Sequence, residues 1–97
     1  LSAPALLRLA PDDDVAVALR PLAPGAPLGP GFAGLALREA IPLGHKVALR
    51  PIEAGAPVRK CGVPIGRATR PIAPGEHVHV HNLASAVLVN ALDHAEE

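Results

Sequence analysis

Arg70-Pro71-Ile72-Ala73-Pro74-Gly75-Glu76-His77-Val78-His79-Val80-His81-Asn82 joins two patterns in one run. Its first half is an apolar residue, a Pro-Gly turn and the start of a second apolar run. Its second half alternates histidine with valine. A period of two is the mark of a strand whose successive side chains point to opposite faces, so His77, His79 and His81 are expected on one face of a β-strand. Pro71 has no N–H to give a ladder and belongs at a strand end or edge. The first half recurs at Arg20-Pro21-Leu22-Ala23-Pro24-Gly25-Ala26-Pro27-Leu28 and at Arg50-Pro51-Ile52-Glu53-Ala54-Gly55-Ala56-Pro57-Val58. Strand-like runs precede these two, Val15-Ala16-Val17-Ala18-Leu19 and Lys46-Val47-Ala48-Leu49. The units are too short and too unevenly spaced for a solenoid. They read as a recurrent turn device in a compact all-β domain of short strands and Gly/Pro turns.

Composition agrees. With 12 Pro and 9 Gly in 97 residues, long helices are excluded from most of the chain. The 49% hydrophobic content opposes disorder. The length suits a single domain over 1–97, with a core over about 6–83 and a tail over 84–97. That tail is read as a short terminal element packing on a partner. The segment from Pro24 to Gly34 reads as an irregular excursion, followed by a short strand near Leu35-Ala36-Leu37. Phe32 is the single aromatic residue. A core of Ala, Val, Leu and Ile buries little area per residue, so the chain is expected to cover surface against another subunit, either a catalytic partner or a further copy of itself.

The formal net charge is zero and no basic run is interleaved with aromatic residues, which argues against nucleic acid. No apolar run approaches the roughly 20 residues that span a bilayer, and Leu1-Ser2-Ala3-Pro4 lacks the form of a secretory signal. Cys61 is the one cysteine, read as a small buried residue in a cytoplasmic protein rather than a nucleophile.

Histidine suits both metal ligation and proton exchange near neutral pH. Neighbours i and i+2 lie ~6.6 Å apart along a strand, near enough for two imidazoles to chelate one ion. A third on a straight strand needs twist, or ligands from another chain. Spacing alone leaves a metal-ligating set and a solvated strand face on equal terms. His45 and Lys46 follow Gly44 in a tight turn, where a cation would steady a substrate carboxylate or simply face solvent. Arg20, Arg50 and Arg70 read as solvated strand ends. Carboxylates are few, the main group being Asp12, Asp13 and Asp14, so no acid/base pair is evident within the chain.

Four segments resemble, in the right order, the SAF domain of the altronate and galactarate dehydratase family. They are Asp13-Asp14-Val15-Ala16-Val17-Ala18-Leu19, Ile41-Pro42-Leu43-Gly44-His45-Lys46-Val47-Ala48-Leu49, Val58-Arg59-Lys60-Cys61-Gly62-Val63-Pro64-Ile65-Gly66-Arg67-Ala68-Thr69 and Gly75-Glu76-His77-Val78-His79-Val80-His81-Asn82. The resemblance spans about Leu6 to Leu83, and the histidine ladder makes altronate dehydratase and the sulfolactate sulfo-lyase small subunit the nearer members.

The resemblance implies a β-clip fold and a hydro-lyase, in which a small module is fused to or encoded beside a large catalytic part. It implies His77, His79 and His81 as the catalytic and metal-holding set for a divalent ion, iron(II) or manganese, and His45, Lys46 and Asn82 as contacts to a small acidic carbohydrate. Alternatives are a sulfo-lyase small subunit and a stand-alone carbohydrate- or metal-binding module. The chain departs from the family pattern at Asp14, where Asn is usual, at Cys61, where Tyr is usual, and at Ala84, where an Arg often follows the Asn82 segment. Loss of that Arg removes a fork-like contact to a carboxylate or sulfonate.

Overall fold

The computed structural model describes residues 4–85. The described chain is all-β, with seven short strands: β1 Leu6–Leu7, β2 Val15–Ala18, β3 Lys46–Ala48, β4 Pro57–Lys60, β5 Val63–Ala68, β6 His77–Val78 and β7 Leu83–Ser85. They form two antiparallel sheets, ordered β1-β2-β3-β6 and β4-β5-β7. The tail expected to pack on a partner lies, from residue 86 onward, outside the described residues.

The turn device organises both sheets, and among the described residues it occurs four times. Leu22 bridges to Ile41 and Ile52 to Ile72, each pair antiparallel. Three residues after each of these comes a glycine at positive φ: Gly25 (88°), Gly44 (81°), Gly55 (82°) and Gly75 (88°). The next N–H closes each turn onto a carbonyl three residues back, from Ala26 to Ala23, His45 to Pro42, Ala56 to Glu53 and Glu76 to Ala73, at 3.0–3.1 Å. This is type II turn geometry, which needs a residue able to adopt positive φ at its third position. Ile41-Pro42-Leu43-Gly44-His45-Lys46 is thus a copy that the sequence repeat does not reveal, because no Arg-Pro pair precedes it.

Two aliphatic clusters fill the interior. Leu22, Leu28, Leu37, Ile41 and Val47 belong to one, with Phe32 partly buried against it. Val15, Ala48, Ile52, Val58, Ile72 and Val78 belong to the other. Adjacent residues of β3 serve opposite clusters, Val47 the first and Ala48 the second, so this strand is buried on both faces. The excursion before β3 contains no strand at 35–37. Leu37 is nonetheless buried, and the Ala36 carbonyl lies so close over Gly75 that a Cβ there would overlap it.

Asp13 ties the two sheets together. The β4–β5 hairpin turns through Cys61 (φ 56°) and Gly62 (φ 76°), the two-residue loop with both residues left-handed that matches strand twist. The buried Asp13 carboxylate accepts the N–H groups of Cys61 (2.7 Å), Gly62 (2.9 Å) and Ala10 (3.0 Å). Cys61 is exposed rather than buried, because the loop presents its side chain outward while its backbone points to Asp13. Arg50, read as a solvated strand end, pairs with Asp14 at 3.2 Å and donates to the carbonyls of Asp12 and Asp13 at 2.9 and 3.0 Å.

Burial alone would raise the Asp13 pKa; the backbone donors, from Gly62 and Cys61 first, outweigh it and hold the pKa below 3.8. A carboxyl depressed in the fold stabilises the protein above its unfolded pKa, and that stability is lost as pH falls through the folded value. Asp13→Asn is therefore expected to lower the denaturant midpoint at pH 7 and to flatten its decline below pH 4. Equal midpoints for the two proteins at pH 7 would show that the carboxylate does not hold the hairpin.

Candidate metal and substrate site

The β3–β6 register pairs Lys46 with Val78 and Val47 with His77. One step further along the same register, His45 stands across from His79, where opposite side chains approach closely. The turn through Gly44 brings His45 to this point, and the structurally equivalent turn through Gly75 delivers His77. The rings meet accordingly: centroids are 4.4 Å apart for His45 and His79, 5.0 Å for His45 and His77 and 5.4 Å for His77 and His79, all stacked. His45 Nδ1 lies 2.8 Å from His77 Nε2, one nitrogen donating and the other accepting. One nitrogen from each of His45, His77 and His79 falls within 4.8 Å of the others, an arrangement able to hold one metal ion.

The strand expected over the ladder is short. β6 ends at Val78, and the chain bends at His79 and turns through His81 and Asn82 into β7. The bend gathers imidazoles that a straight strand would hold apart. His81 is carried to an exposed position with its ring tilted against His77, centroids 5.5 Å apart, and outside the converging three. His45, expected as a substrate contact, stands in the converging set instead.

Asn82, also expected among the substrate contacts, is fully buried. Its Oδ1 accepts the His79 N–H and its Nδ2 donates to the His77 carbonyl, both at 2.9 Å. Its amide therefore shapes the turn that carries the histidines. Glu39, which no sequence pattern marked, accepts the His77 N–H at 3.1 Å from the excursion that crosses β6. Lys46 is half-buried on β3, and Ala84 lies in β7 opposite Arg67.

Burial lowers the pKa of His77, and the charges of His45 and His79 lower it further while Glu39 opposes them. Burial likewise lowers that of His79, with His45, Lys46 and His81 adding to the effect. Both shifts favour the neutral imidazole, the form that ligates a metal. Lys46 is also shifted down, by burial first and then by Lys60. Three imidazole nitrogens converging from two turns fit a divalent transition metal.

Residues 4–86 match the family described as the altronate/galactarate dehydratase SAF domain. The chain belongs to that family. It is 49% identical over 70 residues to altronate dehydratase of Escherichia coli (strain K12), covering 72% of this chain and 14% of that protein. It is 37% identical over 76 residues to altronate dehydratase of Bacillus subtilis (strain 168), covering 78% of this chain and 15% of that one. With (2R)-sulfolactate sulfo-lyase subunit alpha of Chromohalobacter salexigens it shares 49% identity over 47 residues, 48% of this chain and 50% of the subunit. The chain thus spans about a seventh of the dehydratases and about half of the sulfo-lyase subunit. Among the described residues no helix is long and apolar enough to cross a membrane.

Proposed function

We propose that the chain is the small subunit of a sugar-acid dehydratase of the altronate dehydratase type, its imidazole cluster forming one half of a metal and substrate site that a large subunit completes. The observation that carries this reading is the convergence of His45, His77 and His79 on a family domain whose relatives are lyases. The exposed apolar side chains support a covering partner. The two most exposed large ones are Leu43 (60%), on the turn before His45, and Val80 (82%), in the turn that follows β6 beside His79.

Dehydration of a 2,3-dihydroxy acid removes the proton beside the carboxylate, breaks the neighbouring C–O bond and releases the hydroxyl as water; the resulting enol becomes a 2-oxo acid. A divalent ion, iron(II) or manganese, would be held by His45, His77 and His79 and would stabilise the negative charge that develops beside the carboxylate. His81, exposed at the rim beside His77, gives a proton to the departing hydroxyl, and Lys46 steadies the substrate carboxylate. Asn82 and Glu39 fix the backbone of the ligating turn. The general base comes from the large subunit, since among the described residues the carboxylate at the cluster, Glu39, accepts the His77 N–H.

Similarity to a sulfo-lyase subunit alpha favours one second reading, the same site acting on a sulfonated acid. The test is to assay the chain alone and with its cognate large chain on altronate and on sulfolactate. The complex should exceed the lone chain by on the order of a hundredfold or more, the usual range for a missing acid/base group. Full turnover by the lone chain, or none by the complex on either acid, would contradict the assignment.

A further inference from the structure

β6 stands at the edge of its sheet, with β3 on one side and no strand on the other among the described residues. Backbone groups of an antiparallel strand point alternately toward its neighbour and away from it. On the inner side Glu76 accepts the Ala48 N–H at 3.0 Å and Val78 pairs with Lys46. His77 and His79 therefore turn their backbone groups outward, and there side chains take the place of a strand. Asn82 Nδ2 donates to the His77 carbonyl and Asn82 Oδ1 accepts the His79 N–H, both at 2.9 Å. These are the two groups that one residue of a parallel neighbour would join, so the side-chain amide acts as a peptide unit of the absent strand. Glu39 Oε2 accepts the remaining group, the His77 N–H, at 3.1 Å.

Both side chains are themselves anchored. The Asn82 N–H donates to the His79 carbonyl at 3.1 Å, and its carbonyl accepts the N–H of Thr69, just past β5, at 2.9 Å. Asn82 is fully buried, so water does not replace a bond it fails to make. Glu39 is exposed, and its neighbour Arg38 donates its N–H to the Gly75 carbonyl at 3.0 Å, laying the excursion along the same edge. Neither residue belongs to the converging nitrogen set.

We propose that Asn82 and Glu39 are positioning residues that hold His77 and His79 in their converging geometry, and that the two positions need different chemistry. Asn82 must both donate and accept, whereas Glu39 need only accept. The consequence for a metal rests on the reading of the imidazole cluster as its ligand set. Exchanging amide and acid at the two positions should therefore have opposite outcomes. Asn82→Asp keeps the shape and the acceptor but sets a carboxylate oxygen against the His77 carbonyl, where two acceptors repel. Glu39→Gln keeps an oxygen for the His77 N–H.

The test uses the whole protein that carries this chain, titrated calorimetrically with manganese at neutral pH and followed without metal by nitrogen NMR of the imidazoles. Asn82→Asp should weaken manganese binding roughly 10–100-fold, the usual cost of removing a group that orients a ligand. Glu39→Ala should weaken it less, and Glu39→Gln should restore the wild-type value. Asp13→Asn, which loosens the β4–β5 hairpin without touching the cluster, should leave it unchanged and so separates positioning from a general loss of stability. Without metal, the wild type and Glu39→Gln should show the His45–His77 hydrogen bond, and Asn82→Asp should lose it. Wild-type manganese affinity in Asn82→Asp, or an equal loss in Asp13→Asn, would overturn the proposal. So would a His45–His77 bond unchanged in Asn82→Asp. Should manganese fail to bind the wild type while that bond still depends on Asn82, the metal reading falls and the positioning role stands.

Discussion

Replacing His45 by alanine is expected to lower affinity for manganese or iron(II) by on the order of a hundredfold, as far as loss of His77 or His79. His81→Ala should change it only a few-fold. The contrast follows from the bend after β6: nitrogens of His45, His77 and His79 converge, whereas the exposed His81 ring is tilted against His77 outside that set. Turnover should separate the residues differently. His81→Ala removes the proposed proton donor and is expected to reduce kcat of the complex by roughly 10²–10⁴ while the metal stays bound.

Metal affinity should also weaken as pH falls, since protons compete for the same nitrogens. With His77 and His79 shifted down from 6.5, half-loss is expected below the ordinary histidine value. Calorimetric titrations of wild type and the four single variants between pH 5 and 8 check both statements. Equal affinities for the His45 and His81 variants would contradict the convergent set.

Gly75→Ala should be the most damaging single substitution among the turn glycines. Gly75 has φ of 88° and its Cβ would overlap the Ala36 carbonyl, so the new methyl meets backbone as well as a disfavoured conformation. Strain of both kinds places the loss at about 2–4 kcal/mol. Gly25→Ala is the control, with the same φ and nothing within 4 Å of the new atom, and about 1 kcal/mol is expected there. Gly75 also receives the Arg38 N–H and donates to the Ala48 carbonyl. Its replacement should therefore loosen the segment holding Glu39 against His77, and with it the metal site. Thermal and denaturant melts of the two variants, read beside their manganese affinities, measure this; equal midpoints would remove the steric argument.

The recurrent apolar-Gly turns were legible because a positive φ leaves few residue choices, and Leu22, Ile52 and Ile72 repeat with the same flanks. The fourth turn escaped that pattern, since Pro42-Leu43-Gly44 lacks the preceding Arg-Pro although its hydrogen bond is the same. The alternation of His77, His79 and His81 pointed to neighbouring imidazoles, of which the structure brings His77 and His79 together with His45. It could not show that His45 would enter from β3, because that depends on a non-local register, nor that the chain would bend at His79.

Asn82 could not be told from a substrate contact by type alone, since a buried amide closing a turn and an exposed one have the same sequence signature. Asp13 was similarly hidden within the run Asp12-Asp13-Asp14, where burial distinguishes it from its neighbours. Glu39 acquired its place from an irregular segment with no periodicity to read.

The most direct measurement is anomalous diffraction from crystals of the protein loaded with manganese. The account predicts one strong peak at bonding distance from nitrogens of His45, His77 and His79, with His81 unbound. A peak held by His77 and His81 without His45, or no peak at the cluster at occupancies that saturate other sites, would contradict it.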